Sequence, residues 1–427
     1  MGFVIIGIMV VGVVLIFTGK LPTAFALALL ATAIALVAGA SLSGAENSLL
    51  TTVYQEGAVK LASTMIAVLL GSWLGSLLRE TAIASTLVRK TVEFAGDRPV
   101  VVALGILLVS ALCGSVTGSA PAALLAGVIG IPAMIAVGIP KVTAAGTILM
   151  GIGAGVPFEL PVWQFFSTAL NIPVPHVRSF MLYLFPFAAV AAIAYVLVES
   201  RRRGPVHEWS MAALSTRAPS RRRRLGDAPW FSLLTPLVPI VLALVFLVPI
   251  IPSLLAGVVY AVVTTTRPSQ MATRLLRSLY DGFTVAAPPI TLFIAIGMLL
   301  AAVNLPGAVG ALTPIVEGVT PTNPVLYVVV FSALVPLCLY RGPLNLFGLG
   351  AGIAGAMTAI GVYPAMAVLG LMTSYNQVFG VSDPTSTQTV WAAQYSGVKP
   401  QQVLVRTLPY VWVVAIGGIT TSALLYL

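Results

Sequence analysis

The sequence predicts an all-α polytopic membrane protein made of two inverted repeats, and three observations carry that prediction. Of its 427 residues, 59% are hydrophobic and 8% are charged, with a mean hydropathy of +1.04. A soluble domain carries about 25% charged residues, so this much apolar surface calls for lipid around it. Apolar runs recur at lengths near the roughly 20 residues that cross a hydrocarbon core of about 30 Å. Finally, the two halves match at a nearly constant offset. "SAL" at 110–112 recurs at 332–334, "QEG" at 55–57 matches "YDG" at 280–282, "GIP" at 138–140 matches "VYP" at 362–364, and "LFPF" at 184–187 matches "TLPY" at 407–410. Cys113 and Cys338 keep the same spacing and, lying in apolar runs, say nothing of redox compartment.

In the first repeat, 1–198, full spans are expected near 3–18, 23–40, 60–78, 142–170 and 178–198, with a short interfacial helix at 43–58. The first run, Phe3 to Phe17, leads straight to Lys20 with no A-x-A-like processing site, and reads as a retained helix. The stretch 100–137 is interrupted at "CGSVTGSAP", too rich in Gly, Ser and Pro for a plain helix, and reads as a hairpin that enters and leaves on one side. Five crossings plus a re-entrant hairpin is an odd count, so the second repeat, 231–427, runs inverted. Its spans are expected near 231–248, 250–266, 283–302, 364–393 and 406–426. Its hairpin, about 324–361, turns at "YRGPLN", and 268–282 forms the matching interfacial helix.

The linker, 199–230, holds eight of the 22 basic residues between Arg201 and Arg224. Such a loop marks the cytoplasmic side of an inner membrane and can also touch anionic lipid. The net charge of +10, concentrated there, is not a nucleic-acid signal. With the linker inside, the amino terminus lies outside. Lys20, Arg79, Arg89, Lys90, Arg98, Lys141, Arg267, Arg274, Arg277, Lys399 and Arg406 then fall inside, against Lys60 and Arg178 outside.

On this topology three charges are left within the membrane: Glu159, Arg341 and Asp383. Each costs on the order of 2.5–3.5 kcal/mol on insertion scales, and such groups are mostly kept for function. Glu159, in "GAGVPFELP", and Asp383, in "FGVSDPTST", stand 224 positions apart. Proline beside each acid breaks the span into half-helices, and irregular backbone at this depth is tolerated where it lines a cavity or is buried in protein. Paired discontinuous helices point to the midplane site of a secondary transporter. Glu159 could instead sit near the outer interface or pair with a hydroxyl. Arg341, beside Gly342, Pro343 and Asn345, has the fork to clamp a substrate carboxylate, or neutralises Asp383. Ser115, Thr117 and Ser119 at the first tip suit ligand contact or tight helix packing. Asn376, Ser382, Thr385 and Ser386 crowd the second break. His176 and His207 fall in loops, and no chemistry is assigned to them.

The segments "LPTAFALALLATAIALVAG" at 21–39 and "GSVTGSAPAALLAGVIGIPAMIAVGIPKVTAA" at 114–145, with the second-half breaks, resemble the large membrane subunit of TRAP transporters. More broadly they resemble the ion transporter superfamily of dicarboxylate, citrate and gluconate carriers. The resemblance covers nearly the whole chain. It implies an elevator mechanism, sodium or proton coupling and a small carboxylate as substrate. It places the family's ion-binding tip and break on Ser115, Thr117, Ser119 and Gly151–Gly155, and the second pair on Gly342–Asn345 and Asn376–Asp383. A sodium ion is then expected at Ser115, Gly151, Asn345 and Asn376. Coupling is assigned to Glu159, Asn376, Ser382, Asp383, Gly151, Gly155 and Gly380. Substrate binding is assigned to Ser115, Thr117, Ser119, Arg341, Asn345, Thr385 and Ser386. No other cofactor is expected. A homodimer, a separate small membrane subunit and an extracytoplasmic binding protein are the partners it allows. The family typically has a proline pair at each break, where this chain has "VPFELP" and "SDPT". The acids favour proton coupling, because burial favours the neutral form of a carboxyl.

Other classes are weaker. The acids could hold a cationic or zwitterionic substrate, against which Arg341 argues. An ion channel needs a continuous polar stripe, and none is visible. An intramembrane hydrolase needs a nucleophile with a His or a second Asp at depth, and no supporting motif exists. A scaffold needs no buried charges, and the chain reads as a non-enzyme.

Overall fold

The computed structural model describes residues 1–44, 46–201 and 227–427. Most of the basic linker expected at 199–230, including His207, lies outside the described residues. Among the described residues every regular element is helical. Helices α1 (Gly2–Phe17) and α2 (Thr23–Val37) come first, and α3 (Leu49–Glu80) follows. Next are α4 (Ile83–Ala95), α5 (Pro99–Thr117), α6 (Ser119–Ala136), α7 (Lys141–Gly155), α8 (Leu160–Leu170) and α9 (Val174–Glu199). Beyond the linker come α10 (Leu237–Leu244), α11 (Ile250–Thr265), α12 (Pro268–Val303), α13 (Pro306–Val319), α14 (Pro324–Ala333), α15 (Ala351–Ile360), α16 (Ala365–Ser382), α17 (Thr387–Ser396) and α18 (Pro400–Tyr426). Among the described residues seven helices, or eight spans if α13 and α14 count as one bent pair, are long and apolar enough to cross a bilayer. The protein is a multi-pass membrane protein.

The first interrupted stretch folds as the sequence suggests: α5 and α6 pack against each other and reverse at Gly118. The expected spans 142–170 and 364–393 are both broken, α7 from α8 at Val156–Glu159 and α16 from α17 at Asp383–Ser386. Four expectations need correction. The stretches 43–58 and 268–282 are not separate interfacial helices. Leu49–Glu56 is the wide π-helical opening of α3, and 268–282 is the opening of the 36-residue α12, which Pro288 and Pro289 leave unbroken. The span expected at 231–248 holds only the eight-residue α10, which starts after Pro236 and stops short of the left-handed Leu247. At 1.5 Å per residue, eight residues cover about 12 Å, less than half a bilayer core. The second hairpin is not a paired one like the first: α14 packs on α18, whereas α15 packs on α12 and α13. Helices α4 and α13, taken as loop from the sequence, complete the fold.

Glycine sets the closest approaches. Helix α7 lies against α5 through Gly151 and Gly155: a methyl at Gly151 would fall 2.5 Å from the Leu107 carbonyl oxygen, and one at Gly155 would collide with that of Ala111. The tip of the first hairpin reaches α3 over Gly71 and Gly75, which face the Val116 carbonyl and the Thr117 Cβ at 3.0 Å each. Two contacts between α3 and α12 mirror one another. A methyl at Gly57 would lie 2.9 Å from the Met298 Cα, and one at Gly282 would lie 2.7 Å from the Trp73 Cα. Gly282 and Met298 each stand 225 positions beyond Gly57 and Trp73. Gly155→Ala is expected to force α7 off α5 and cost about 1–3 kcal/mol, the usual range for overpacking. A melting curve of the detergent-purified variant checks this, and an unchanged midpoint would deny the close contact.

Candidate functional site

The two breaks carry the two acids, and they hold them differently. At the second break, Asp383 ends α16 in extended conformation and is 1% exposed. Its carboxylate accepts five hydrogen bonds. Oδ1 takes the Tyr340 N–H (3.1 Å), the Thr385 N–H (2.9 Å) and the Thr385 hydroxyl (2.7 Å). Oδ2 takes the Arg341 N–H (3.3 Å) and the Asn345 Nδ2 (3.3 Å). Tyr340 and Arg341 are both left-handed, with φ of 53° and 55°, which turns successive N–H groups toward one anion. The 340–345 loop therefore rests on Asp383 as on a peg. Both Asn345 amide donors are used as well. Its Nδ2 also donates to the Cys338 carbonyl, and its Oδ1 accepts the Phe347 N–H at 3.0 Å.

At the first break, Glu159 also has extended backbone and is 7% exposed. It stands at the N-cap of α8, where a carboxylate normally accepts helix N–H groups and gains from the helix dipole. Here no side-chain capping bond forms. Position 161, two residues on, is a proline without an N–H, and the Val162 and Trp163 amides donate to the Glu159 backbone carbonyl instead. Trp163 Nε1 closes the turn on the Pro157 carbonyl at 2.9 Å. The carboxylate has no hydrogen-bond or ion-pair partner among the described residues. It faces the tip of the first hairpin, where Oε1 would lie 3.7 Å from a Cβ at Gly118. Gly118 has φ 79° and ψ 162°, a conformation open essentially to glycine alone.

The remaining expected residues divide between these centres. Thr385 and Ser386 belong to the second, and the Ser386 hydroxyl donates to the Asp383 carbonyl at 2.8 Å. Ser382 bonds Thr407 of α18 at 2.7 Å. The Arg341 guanidinium donates to the Thr23 hydroxyl of α2 at 2.5 Å and is exposed, so it forms no ion pair with Asp383. Ser115 and Thr117 donate to their own helix, at Leu112 and Cys113. Ser119 is half-buried beyond the tip and makes no hydrogen bond among the described residues. Gly151 and Gly155 serve helix contact. Buried Gly380 has no atom within 4 Å of where a Cβ would stand, so it opens on free space, and buried Asn376 shares its face one turn earlier. The sodium donors named above fit poorly. The Asn345 Oδ1 already accepts the Phe347 N–H, and Gly151 lies within the regular part of α7, where its carbonyl serves the helix. No group of three or more His, Cys, Asp or Glu suited to a metal occurs among the described residues.

Three features escape a reading of the sequence. Gln377 is 2% exposed, its Nε2 has no partner, and its Oε1 would lie 3.6 Å from a Cβ at Gly153, the residue 224 positions before it. Glu199, placed in a loop by the sequence, is 4% exposed and pairs with Arg406 at 3.5 Å. A chain of rings joins the halves: Phe165 of α8 meets Phe293 of α12 (5.4 Å), Phe293 meets Phe347 (6.0 Å), and Phe347 meets Phe379 of α16 (5.4 Å).

The fold is shared with known membrane transporters. The Alcanivorax borkumensis YdaH transporter, described as having an unusual topology, aligns over 94% of this chain and 98% of its own, with a TM-score of 0.61 at 16% identity. Neisseria gonorrhoeae MtrF, described with a class of antimetabolite efflux pumps, aligns over 95% of each chain, with a TM-score of 0.50 at 12% identity. No family model matches the sequence, and no curated protein matches it. At such identities the likeness establishes the fold alone.

Proposed function

We propose that the chain is a proton-coupled secondary transporter that carries a small organic anion across the inner membrane by an elevator motion. A transport domain of the first hairpin, the 340–345 loop and both broken helices would slide against a scaffold built on the α3–α12 contact. The motif resemblance to the TRAP large subunit supports this, as does the transporter fold. The mirrored glycine contacts of α3 and α12, and the Gly153–Gln377 contact between residues 224 apart, support the inverted repeat.

The carrying observation is the buried, partnerless carboxylate of Glu159 facing the first tip. An anion cannot settle beside a second bare carboxylate. Once Glu159 takes up a proton the repulsion is gone, and its O–H can donate to the incoming substrate. Proton and anion then bind each other's state, which is the reciprocity that coupling requires. Asp383 has no such freedom, because its oxygens hold the second loop in place. The coupling role weighed for both acids therefore falls to Glu159 in this proposal.

One observation favours a second substrate class. The Arg341 guanidinium points to Thr23, away from Asp383, so a zwitterion whose ammonium pairs with Glu159 is also accommodated. Proteoliposomes decide among these. Labelled mono-, di- and tricarboxylates and amino acids are offered under an imposed pH gradient, or under a sodium gradient at equal pH, in both directions. Uptake of a carboxylate driven from the acid side is expected. Sodium-driven uptake that ignores pH would overturn the coupling, and transport confined to amino acids would replace the substrate.

A further inference from the structure

An apolar groove runs between α9 and α18, and the repeat shapes both walls. Pro186 and Pro409 lie inside the two helices, 223 positions apart, as do Phe187 and Tyr410, and Val190 and Val413. An interior proline removes a backbone donor and crowds the preceding turn, and in each helix it stands in the groove wall. The groove measures about 650 Å³, and its rim is open, with Val190 66% and Val413 62% exposed. It therefore faces lipid.

One end is polar and basic. Tyr410, in the wall, reaches the Glu199 Oε1 at 3.3 Å, and Arg406, one turn before Tyr410 on the same face, pairs with the same carboxylate while remaining 42% exposed. Arg201 is exposed just beyond Glu199, and Lys399 is exposed seven residues before Arg406, on its side of α18. Among the described residues Arg406 is paired with this carboxylate, and Arg201 and Lys399 add positive charge at the adjoining helix ends. From Arg406 to Val413 the helix rises about 10 Å, which places the groove at acyl depth beneath a cationic interface. Apolar walls with a cationic mouth complement an anionic phospholipid better than a neutral one.

We infer that the α9–α18 groove binds one acyl chain of an anionic phospholipid whose headgroup phosphate rests on Arg406. Arg presents several N–H donors, so one can serve Glu199 while others meet phosphate oxygens. The inference rests on the membrane placement alone and is independent of Glu159.

Purified protein is tested with phosphatidylglycerol and phosphatidylcholine of identical chains, reading lipid retained by native mass spectrometry and the shift in melting temperature. The wild type is expected to retain phosphatidylglycerol severalfold more than phosphatidylcholine and to melt later with it. Arg406→Gln should erase the headgroup preference, and Val190→Trp, which fills the groove from its exposed rim, should lower retention of both lipids. Equal retention of the two lipids by the wild type would overturn the inference. So would undiminished phosphatidylglycerol retention by both variants, or a Val190→Trp protein that changes from dimer to monomer, which would give this face to a second copy.

Discussion

Glu159→Gln is expected to abolish proton-driven accumulation while leaving solute exchange intact. Glutamine keeps the length and neutral polarity of the protonated side chain but cannot release a proton. The substrate should still bind and cross, because the repulsion that excludes it is permanently gone. In the wild type, substrate affinity should fall as pH rises and the carboxylate forms. Couplings of this kind are worth about 5–150-fold in affinity. In the variant that dependence should be flat, and an imposed pH gradient should no longer concentrate solute. Counterflow and gradient-driven uptake on the same liposomes separate the two outcomes. A variant that still accumulates solute against a gradient would remove Glu159 from coupling, and one that loses exchange as well would make it a direct ligand of the substrate.

Asp383→Ala should instead act on the fold. It strands five donors that now converge on one carboxylate. Each buried donor left unmet costs about 1–3 kcal/mol, partly relieved by water or local movement. Removing one partner of a buried charged cluster typically costs about 3–5 kcal/mol, and that is the loss expected here. Asp383→Asn should lie between. With its oxygen at the Oδ1 position it keeps the Tyr340 and Thr385 donors but turns an NH₂ toward the Arg341 amide and the Asn345 Nδ2. Melting midpoints should therefore fall in the order wild type, Asn, Ala. An Ala variant as stable as the wild type would show that the 340–345 loop holds its shape unaided.

Much of this was open to inspection in the sequence, and the failures have physical causes. Helix breaks at Glu159 and Asp383 follow from proline beside an acid, and the first tip follows from "CGSVTGSAP". The contrast between the acids was also written there, in "ELP" and "DPT", but it needs backbone geometry to be seen. An acid at a helix end is pinned by the amide two residues on. Thr385 offers that amide plus a hydroxyl, and Pro161 offers neither. The span expected at 231–248 fails because hydropathy ignores Pro236, before which the chain cannot run on as one helix, and the left-handed turn at Leu247. The continuity of 268–303 was missed because a polar, charged first half suggests an interface, whereas Arg277 and Asp281 are met by Glu80 and Arg79 at the end of α3. The Phe165–Phe379 ring chain has no local sequence signature, since its members come from four separate segments.

A single loose acid also limits the work one cycle can do. If one carboxyl per chain carries the driving ion, each turn delivers about 1.4 kcal/mol per pH unit across the membrane. For a singly charged anion moving with one proton the trip is electrically silent, so membrane voltage contributes nothing. The steepest solute ratio such a chain sustains is then about tenfold per pH unit.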